Sequence, residues 1–263
     1  MAAALPIQAS ASDASPWTPS AQSQARLIEG EGSPDDLLVG LTVRLEPRFI
    51  TYWRDPGDAG VPPTFSFTGS TNLKSATVLY PVPLKLDEAG ATAFGYAGEV
   101  TFPIRVVPND PARPVGLAVS LGYAVCHDIC LPAHADLRLD LDGRPSAEAA
   151  RVNAAVAAVP RASSLGAAGP PSILAIAPQG DGGFTVTATG ADATSVLFVE
   201  APEGFAYEVG DGQATGAGTM FPVKRLDHPK GVEQPGAPVI LTLSAPAGAI
   251  EVPIRLDGAA TKP

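Results

Sequence analysis

The sequence predicts an all-β chain: two tandem β-sandwich domains joined by a short helix. Three observations carry this reading. The 263 residues include 27 glycines and 28 prolines, spread between short apolar runs, which is the punctuation of strands and turns rather than of long helices. Within those runs apolar and polar residues alternate with the period of two that half-buries a strand. Hydrophobic residues make up 45% of the chain and charged residues 17%, enough apolar material for a real core and too much for wholesale disorder.

The elements follow in order. Met1 to about Gln24 is rich in Ala, Ser, Pro and Gln and is expected to be a disordered leader or signal remnant. Ala9, Ser10 and Ala11 resemble the small-residue end of a secretory signal, but the basic start and long apolar stretch are missing, as in a truncated or mis-started signal. The patterning changes at Ala25, and a first sandwich is expected over residues 25–145. Leu37, Val39, Leu41, Val43 and Leu45 alternate as a half-buried strand. Strand-like runs follow at TFSFTG, SATVLYPVP, EVTFPIRVVP and VGLAVSLGYAV. In the last, Val115, Leu117, Val119, Leu121, Tyr123 and Val125 share one face. ADLRLDL alternates again at Leu137, Leu139 and Leu141.

PSAEAARVNAAVAAVP breaks this rhythm. Ser146 is a good N-cap, Glu148 suits the first turn, and Pro160 stops the run. A short helix and flexible linker are therefore expected over 146–170. A second sandwich is expected over 171–258, with strands at ILAIAP, GFTVTATG, SVLFVEAP, TMFPVKRL, PVILTLSAP and AIEVPIRL, then a tail over 259–263. The second region has no cysteine and no acid–base cluster, so spacing or docking is its expected role.

Composition excludes several functions. The net charge is −10 and no Lys/Arg stripe is present, which argues against nucleic-acid binding. No apolar run approaches the roughly 20 residues of a membrane span, so direct membrane insertion is not expected. There is no G-x-S-x-G, H-E-x-x-H or P-loop, and no cofactor is expected. Three histidines leave little scope for acid–base catalysis, and the scattered carboxylates read as a solvated acidic surface. The loop Asp55–Gly60 is turn-rich, with nothing that demands calcium.

The chemistry concentrates in YAVCHDICLPAH, Tyr123–His134, which holds the only two cysteines, Cys126 and Cys130, and two of the histidines, His127 and His134. Three readings are open. A disulfide closing so short a loop stabilises by only roughly 2 kcal/mol, a modest structural staple. It would need a sharp turn over His127, Asp128 and Ile129, because residues four apart on a straight strand lie about 13 Å apart and bonded cysteines need Cα atoms about 4.4–6.8 Å apart. A metal clamp would use Cys126, His127, Cys130 and His134, donors suited to zinc or copper, although the spacing fits no common zinc pattern. A redox pair needs two nearby thiols on a turn, at least one of them accessible. There, His127 would favour a thiolate when protonated and Asp128 would oppose it.

YAVCHDICLPAHADLRLDL resembles the active-site hairpin of the N-terminal periplasmic domain of the DsbD family and its ScsB-like members. TYWRDPGDAGVPPTF and YAGEVTFPIRV resemble the segments that precede that hairpin, and together these stretches cover about Leu37 to Leu141. The resemblance implies an immunoglobulin-like sandwich that accepts electrons from a thioredoxin-like domain. It would pass them to periplasmic oxidoreductases serving disulfide isomerisation, cytochrome c maturation or metal stress. It implies that Cys126 and Cys130 are the exchanging pair, with Cys130 forming mixed disulfides and Cys126 resolving them. It also places Tyr52 and Trp53 near the cysteines, where aromatic rings would shield the sulfurs. The alternative for these two is a place in the core, with Arg54 and Asp55 paired in the following turn.

Three departures from the family are plain. The cysteine loop is shorter than in the best-known member. The aromatic cap has only Phe94 and Tyr96 as candidates, and core or edge packing explains those equally well. The membrane and thioredoxin domains are absent from this sequence. The implied partners are therefore thioredoxin-like periplasmic oxidoreductases and a separate membrane electron carrier, in the periplasm. The only enzymatic activity implied is protein-disulfide reduction or interchange. The rival is an immunoglobulin-like binding or adaptor module whose local disulfide merely shapes a loop, and a third reading is a copper-handling protein using Cys126, Cys130 and the neighbouring histidines.

Overall fold

The alternating runs become paired strands with one face buried. The structure is a computed structural model and describes residues 12–256 except 20, 59, 89 and 233–237. The chain divides into two compact units between Ala157 and Ala158.

The first unit is built from β1 (Ser23–Glu29), β2 (Leu37–Leu45), β3 (Ile50–Gly57), β4 (Thr64–Ser66), β5 (Leu73–Val78), β6 (Leu84–Glu88), β7 (Ala91–Ala97), β8 (Glu99–Pro108), β9 (Val115–Cys126), β10 (Cys130–Leu141) and helix α1 (Ala149–Ala157). One antiparallel sheet has the order β1-β2-β8-β5. The other runs β10-β9-β3-β7-β6, with β4 also pairing β9. Val39, Leu41 and Val43 of β2, Phe102 and Ile104 of β8, and Leu117, Val119 and Leu121 of β9 are all buried, as alternation on a half-buried strand requires.

The second unit holds β11 (Arg161–Ala162), β12 (Ser172–Pro178), β13 (Phe184–Thr189), β14 (Val196–Glu200), β15 (Ala206–Val209), β16 (Gln213–Thr215), β17 (Gly218–Asp227), β18 (Val239–Ala245) and β19 (Gly248–Ile254). Its sheets run β11-β19-β18-β14 and β12-β13-β17-β15, with β16 on β17. Ile173, Phe184, Val186, Phe221, Leu241 and Val252 lie in one core cluster. The chain is thus all-β, of immunoglobulin-like sandwich type.

Two expectations are corrected. Residues 12–19 and 21–24 are not a disordered leader. The Ser15 amide donates to Leu27 O at 2.9 Å and the Thr18 amide to Ala25 O at 2.9 Å, so this strap runs along β1 and satisfies the open edge of its sheet. The Trp17 ring anchors it, with the guanidinium carbons of Arg26 and Arg44 at 4.6 and 4.5 Å from the ring centroid. Residues 1–11 and the expected tail over 259–263 lie outside the described residues.

The helix expected to join the domains is packed into the first unit. Val152 is fully buried against Gly30, where a Cβ would come within 2.8 Å of Val152 Cγ1. Ser146 Oγ accepts the Glu148 amide at 3.0 Å as the cap. The Glu148 carboxylate reaches Arg26 at 3.1 Å. An apolar residue on a helix too short to be stable alone finds its burial on the nearest sheet.

Candidate redox site

The β9–β10 hairpin carries the site. Its register pairs Leu141 with Val115 and continues without a slip to Cys130 opposite Cys126. The period-two pattern sets this register, because a slip by one residue would turn Val115–Val125 out of the core. His127, Asp128 and Ile129 make the turn, and the two cysteines form the last rung. Their sulfurs are bonded and their Cα atoms lie 4.1 Å apart, close to the roughly 4.5 Å of a narrow antiparallel pair.

The two sulfurs live in different surroundings. Cys126 is fully buried in a small cluster with Tyr52, Ala93 and Ala124, with Ile50 and Leu86 packed against it. Cys130 is exposed and stands between Ile129, 73% exposed, and Leu131, 39% exposed. Of the two residues, Cys130 is the one open to solvent.

Strand β3 brings Tyr52 to this sulfur. The Thr51 hydroxyl donates to Ala124 O at 2.8 Å and pins β3 to β9. On the other side Tyr52 pairs with Gly95 of β7, where the close approach of the Thr51 carbonyl leaves no room for a Cβ. Tyr52 is fully buried, yet its hydroxyl lies 3.2 Å from Cys130 Sγ and donates to the Glu88 carboxylate, at 2.7 Å from Oε1 and 2.6 Å from Oε2. Glu88 Oε1 itself lies 3.2 Å from Cys130 Sγ. A disulfide sulfur has no proton to donate, so this last approach is a contact in the bonded state and a hydrogen bond once Cys130 is a thiol. Burial first, and then the bond to Glu88 and its charge, push the Tyr52 phenol well above its ordinary value. It therefore stays a proton donor at neutral pH.

The predicted residues separate cleanly. Tyr52 touches the exposed sulfur. Trp53, its neighbour on β3, is fully buried and carries the Arg54 guanidinium 4.8 Å over its ring. Phe94 and Tyr96 alternate to the face of β7 opposite Ala93, the residue of that strand in the cysteine cluster. Tyr96 packs on Phe102 with ring centroids 5.4 Å apart and donates to Pro81 O at 2.8 Å. Asp55 accepts the Gly57 amide at 3.1 Å, and burial raises its carboxyl above the ordinary value. His127 Nδ1 lies 2.8 Å from the exposed Asp128, and its ring centroid lies 5.7 Å from that of Phe49.

The proposed four-ligand metal set is not assembled. Among the described residues, the group of potential ligand atoms at the cysteines is Glu88, Cys126 and Cys130, all within 4.8 Å of one another, with both sulfurs committed to their mutual bond. His134 pairs with Gly122, four rungs from the cysteines, about 13 Å along a strand. Its Nε2 lies 3.1 Å from Asp136 and 3.4 Å from Ser120.

Glu88 is the residue that sequence reasoning missed. It ends β6 in LDEAG, beside the turn into β7, and reads there as one more solvated carboxylate. Only the sheet order brings it to a cysteine 42 residues further along the chain.

Comparison with known proteins agrees with this geometry. Residues 19–141 match the family model described as thiol:disulfide interchange protein DsbD, N-terminal. No curated protein matches significantly over the sequence. Among solved structures, the crystal structure of the N-terminal periplasmic domain of ScsB from Proteus mirabilis superposes with a TM-score of 0.73 at 23% identity. The match covers 93% of this chain and 98% of that one, a likeness of fold. Residues 19–141, which hold both sulfurs and the Tyr52 and Glu88 groups that touch Cys130, are thus the part of the chain that matches the DsbD N-terminal family.

Proposed function

We propose that this chain is a periplasmic thiol:disulfide interchange protein, passing electrons between thioredoxin-fold partners through Cys126 and Cys130. The observation that carries the reading is the asymmetry of the bond: one sulfur is exposed at a hairpin tip and the other is sealed beneath it. A purely structural clip needs no such difference. The family's printed description supports interchange, and the periplasmic origin of the ScsB domain supports the compartment.

The chemistry runs in two halves. A partner thiolate attacks Cys130 Sγ, forming a mixed disulfide and expelling Cys126 as a thiolate. The partner's second thiolate then attacks its own bonded sulfur and releases Cys130. The chain is now a dithiol and that partner is a disulfide. In the second half, the Cys130 thiolate attacks the disulfide of another oxidoreductase. Cys126 then attacks Cys130 Sγ, restores the internal bond and releases the reduced partner. Glu88, 3.2 Å from the reacting sulfur, is placed to take up and return its proton, and the Tyr52 hydroxyl at the same distance to donate a hydrogen bond.

Trapping tests the reading. A Cys126→Ala variant should accumulate mixed disulfides through Cys130 when offered an oxidised thioredoxin-fold protein, and Cys130→Ala should accumulate none through Cys126. The wild-type pair should have a potential above about −300 mV, the level below which structural disulfides lie. A bond that stays intact in thioredoxin-poised buffer, with no trapped species in either variant, would leave only the adaptor reading.

A further inference from the structure

We infer that Gly60 is a positioning residue for the exposed sulfur: its backbone clamps the Tyr52 ring and so holds the hydroxyl at Cys130 and Glu88. Gly60 has φ of +110°, a conformation L side chains rarely adopt. A Cβ at this position would come no farther than 2.6 Å from three ring carbons of Tyr52, Cδ1, Cε1 and Cζ. The backbone at Gly60 therefore lies against the Cδ1–Cε1–Cζ edge of the ring. That is why Tyr52 is fully buried although its oxygen sits beside an exposed sulfur. The ring has little freedom to swing, and its hydroxyl is bonded at the far end to both oxygens of Glu88.

This inference rests on Cys130 being the reacting sulfur, and it concerns how that sulfur is tuned. When the internal bond opens, the Cys130 thiolate lies within reach of one protonated donor, Tyr52, and one carboxylate, Glu88. The phenol's single proton lies between the thiolate and the carboxylate, and donated to either it offsets negative charge beside the sulfur and favours ionisation of the thiol. Adding a methyl group at Gly60 displaces the ring and withdraws the donor. A glycine 70 residues upstream of Cys130 in sequence thus acts on the cysteine only through Tyr52, an order-of-magnitude lever set by one hydrogen bond to a charged group.

The test follows the rate of alkylation of reduced Cys130 by iodoacetamide against pH, in a Cys126→Ala background. Gly60→Ala should raise the midpoint of the profile by about one to two pH units, the loss expected for one such hydrogen bond, and slow the reaction at pH 7 by about threefold to tenfold once the higher nucleophilicity of the more basic thiolate is counted. Tyr52→Phe should do the same. In the Tyr52→Phe background, Gly60→Ala should change nothing further. A folded Gly60→Ala protein with the wild-type profile, or an added effect in the double variant, overturns the inference. Should Gly60→Ala fail to fold, ring dynamics of the wild-type protein decide it. A clamped Tyr52 shows separate NMR signals for the two edges of its ring, and a rapidly flipping ring refutes the clamp. Alkylation needs no protein partner, so these results stand apart from trapping, which judges the interchange function itself.

Discussion

Replacing Glu88 with Gln should make reduced Cys130 more reactive, and the structure sets the size of the effect. Glu88 Oε1 lies 3.2 Å from Cys130 Sγ. Two unit charges at that separation repel by about 1.3 kcal/mol at the dielectric of water and about 5 kcal/mol at an effective dielectric of 20. Glu88 is half-buried and Cys130 exposed, so the lower part of that range applies, about one to two pH units. Gln keeps the shape of the side chain and an oxygen for the Tyr52 hydroxyl while removing the charge. The alkylation midpoint of Cys130 should fall by that amount. Each unit raises the thiolate fraction tenfold at pH 7 but lowers the intrinsic nucleophilicity of the sulfur by roughly threefold. The net rate at pH 7 should therefore rise about threefold to tenfold. Stopped-flow alkylation of the Cys126→Ala and Cys126→Ala/Glu88→Gln proteins measures both quantities. A midpoint that stays in place or rises would refute the view that the carboxylate restrains the thiol, and would recast Glu88 as a group that only holds Tyr52.

Two further outcomes concern the frame around the site. Burial, followed by the charges of Asp142 and Asp13, raises the Glu29 carboxyl above its ordinary 4.5, although the Gly143 amide opposes this. Arg144, paired with Asp142, is the cation facing the same pocket. A carboxyl whose folded value is raised binds its proton more tightly in the folded state, so stability falls as pH rises from 4.5 through the raised value. Glu29→Gln should remove that loss, and chemical denaturation across this window should show a flatter profile; an unchanged slope would count against it. Trp17→Ala removes two cation–π contacts, each about 0.5–1 kcal/mol at an exposed site. It should lower unfolding free energy by about 1–2 kcal/mol and speed hydrogen exchange at the Ser15 and Thr18 amides, with unaltered exchange there as the contrary result.

Much of the fold was legible because period-two alternation is a local record of burial. Val115–Val125 on β9 and Leu137–Leu141 on β10 were readable as one face each, and their register follows from that face. β6 and β7 were harder to read. Leu84–Glu88 and Ala91–Ala97 carry few large apolar residues, since they cover a cluster made of Ala93, Ala124 and Cys126. The strap at Ser12–Pro19 was read as disorder from its Ala/Ser/Pro composition. Its order comes from backbone pairing with β1 and from two arginines on the Trp17 ring, neither of which leaves a periodic trace. For the cysteine pair, local spacing was informative: three intervening residues can bring two cysteines together only by turning, and the hairpin does so.

The sequence alone determined that strands would dominate and that Cys126 and Cys130 could be bonded only across a sharp bend, because both are consequences of neighbours along the chain. Which sulfur faces outward was a tertiary decision, taken when Tyr52, Ala93 and Ala124 closed over Cys126. So was the company of the other sulfur: Tyr52, Glu88 and Gly60 come from separate strands and loops. No short window of sequence contains all of them, and their distances to Cys130 exist only once β3, β6 and β7 have taken their places in one sheet.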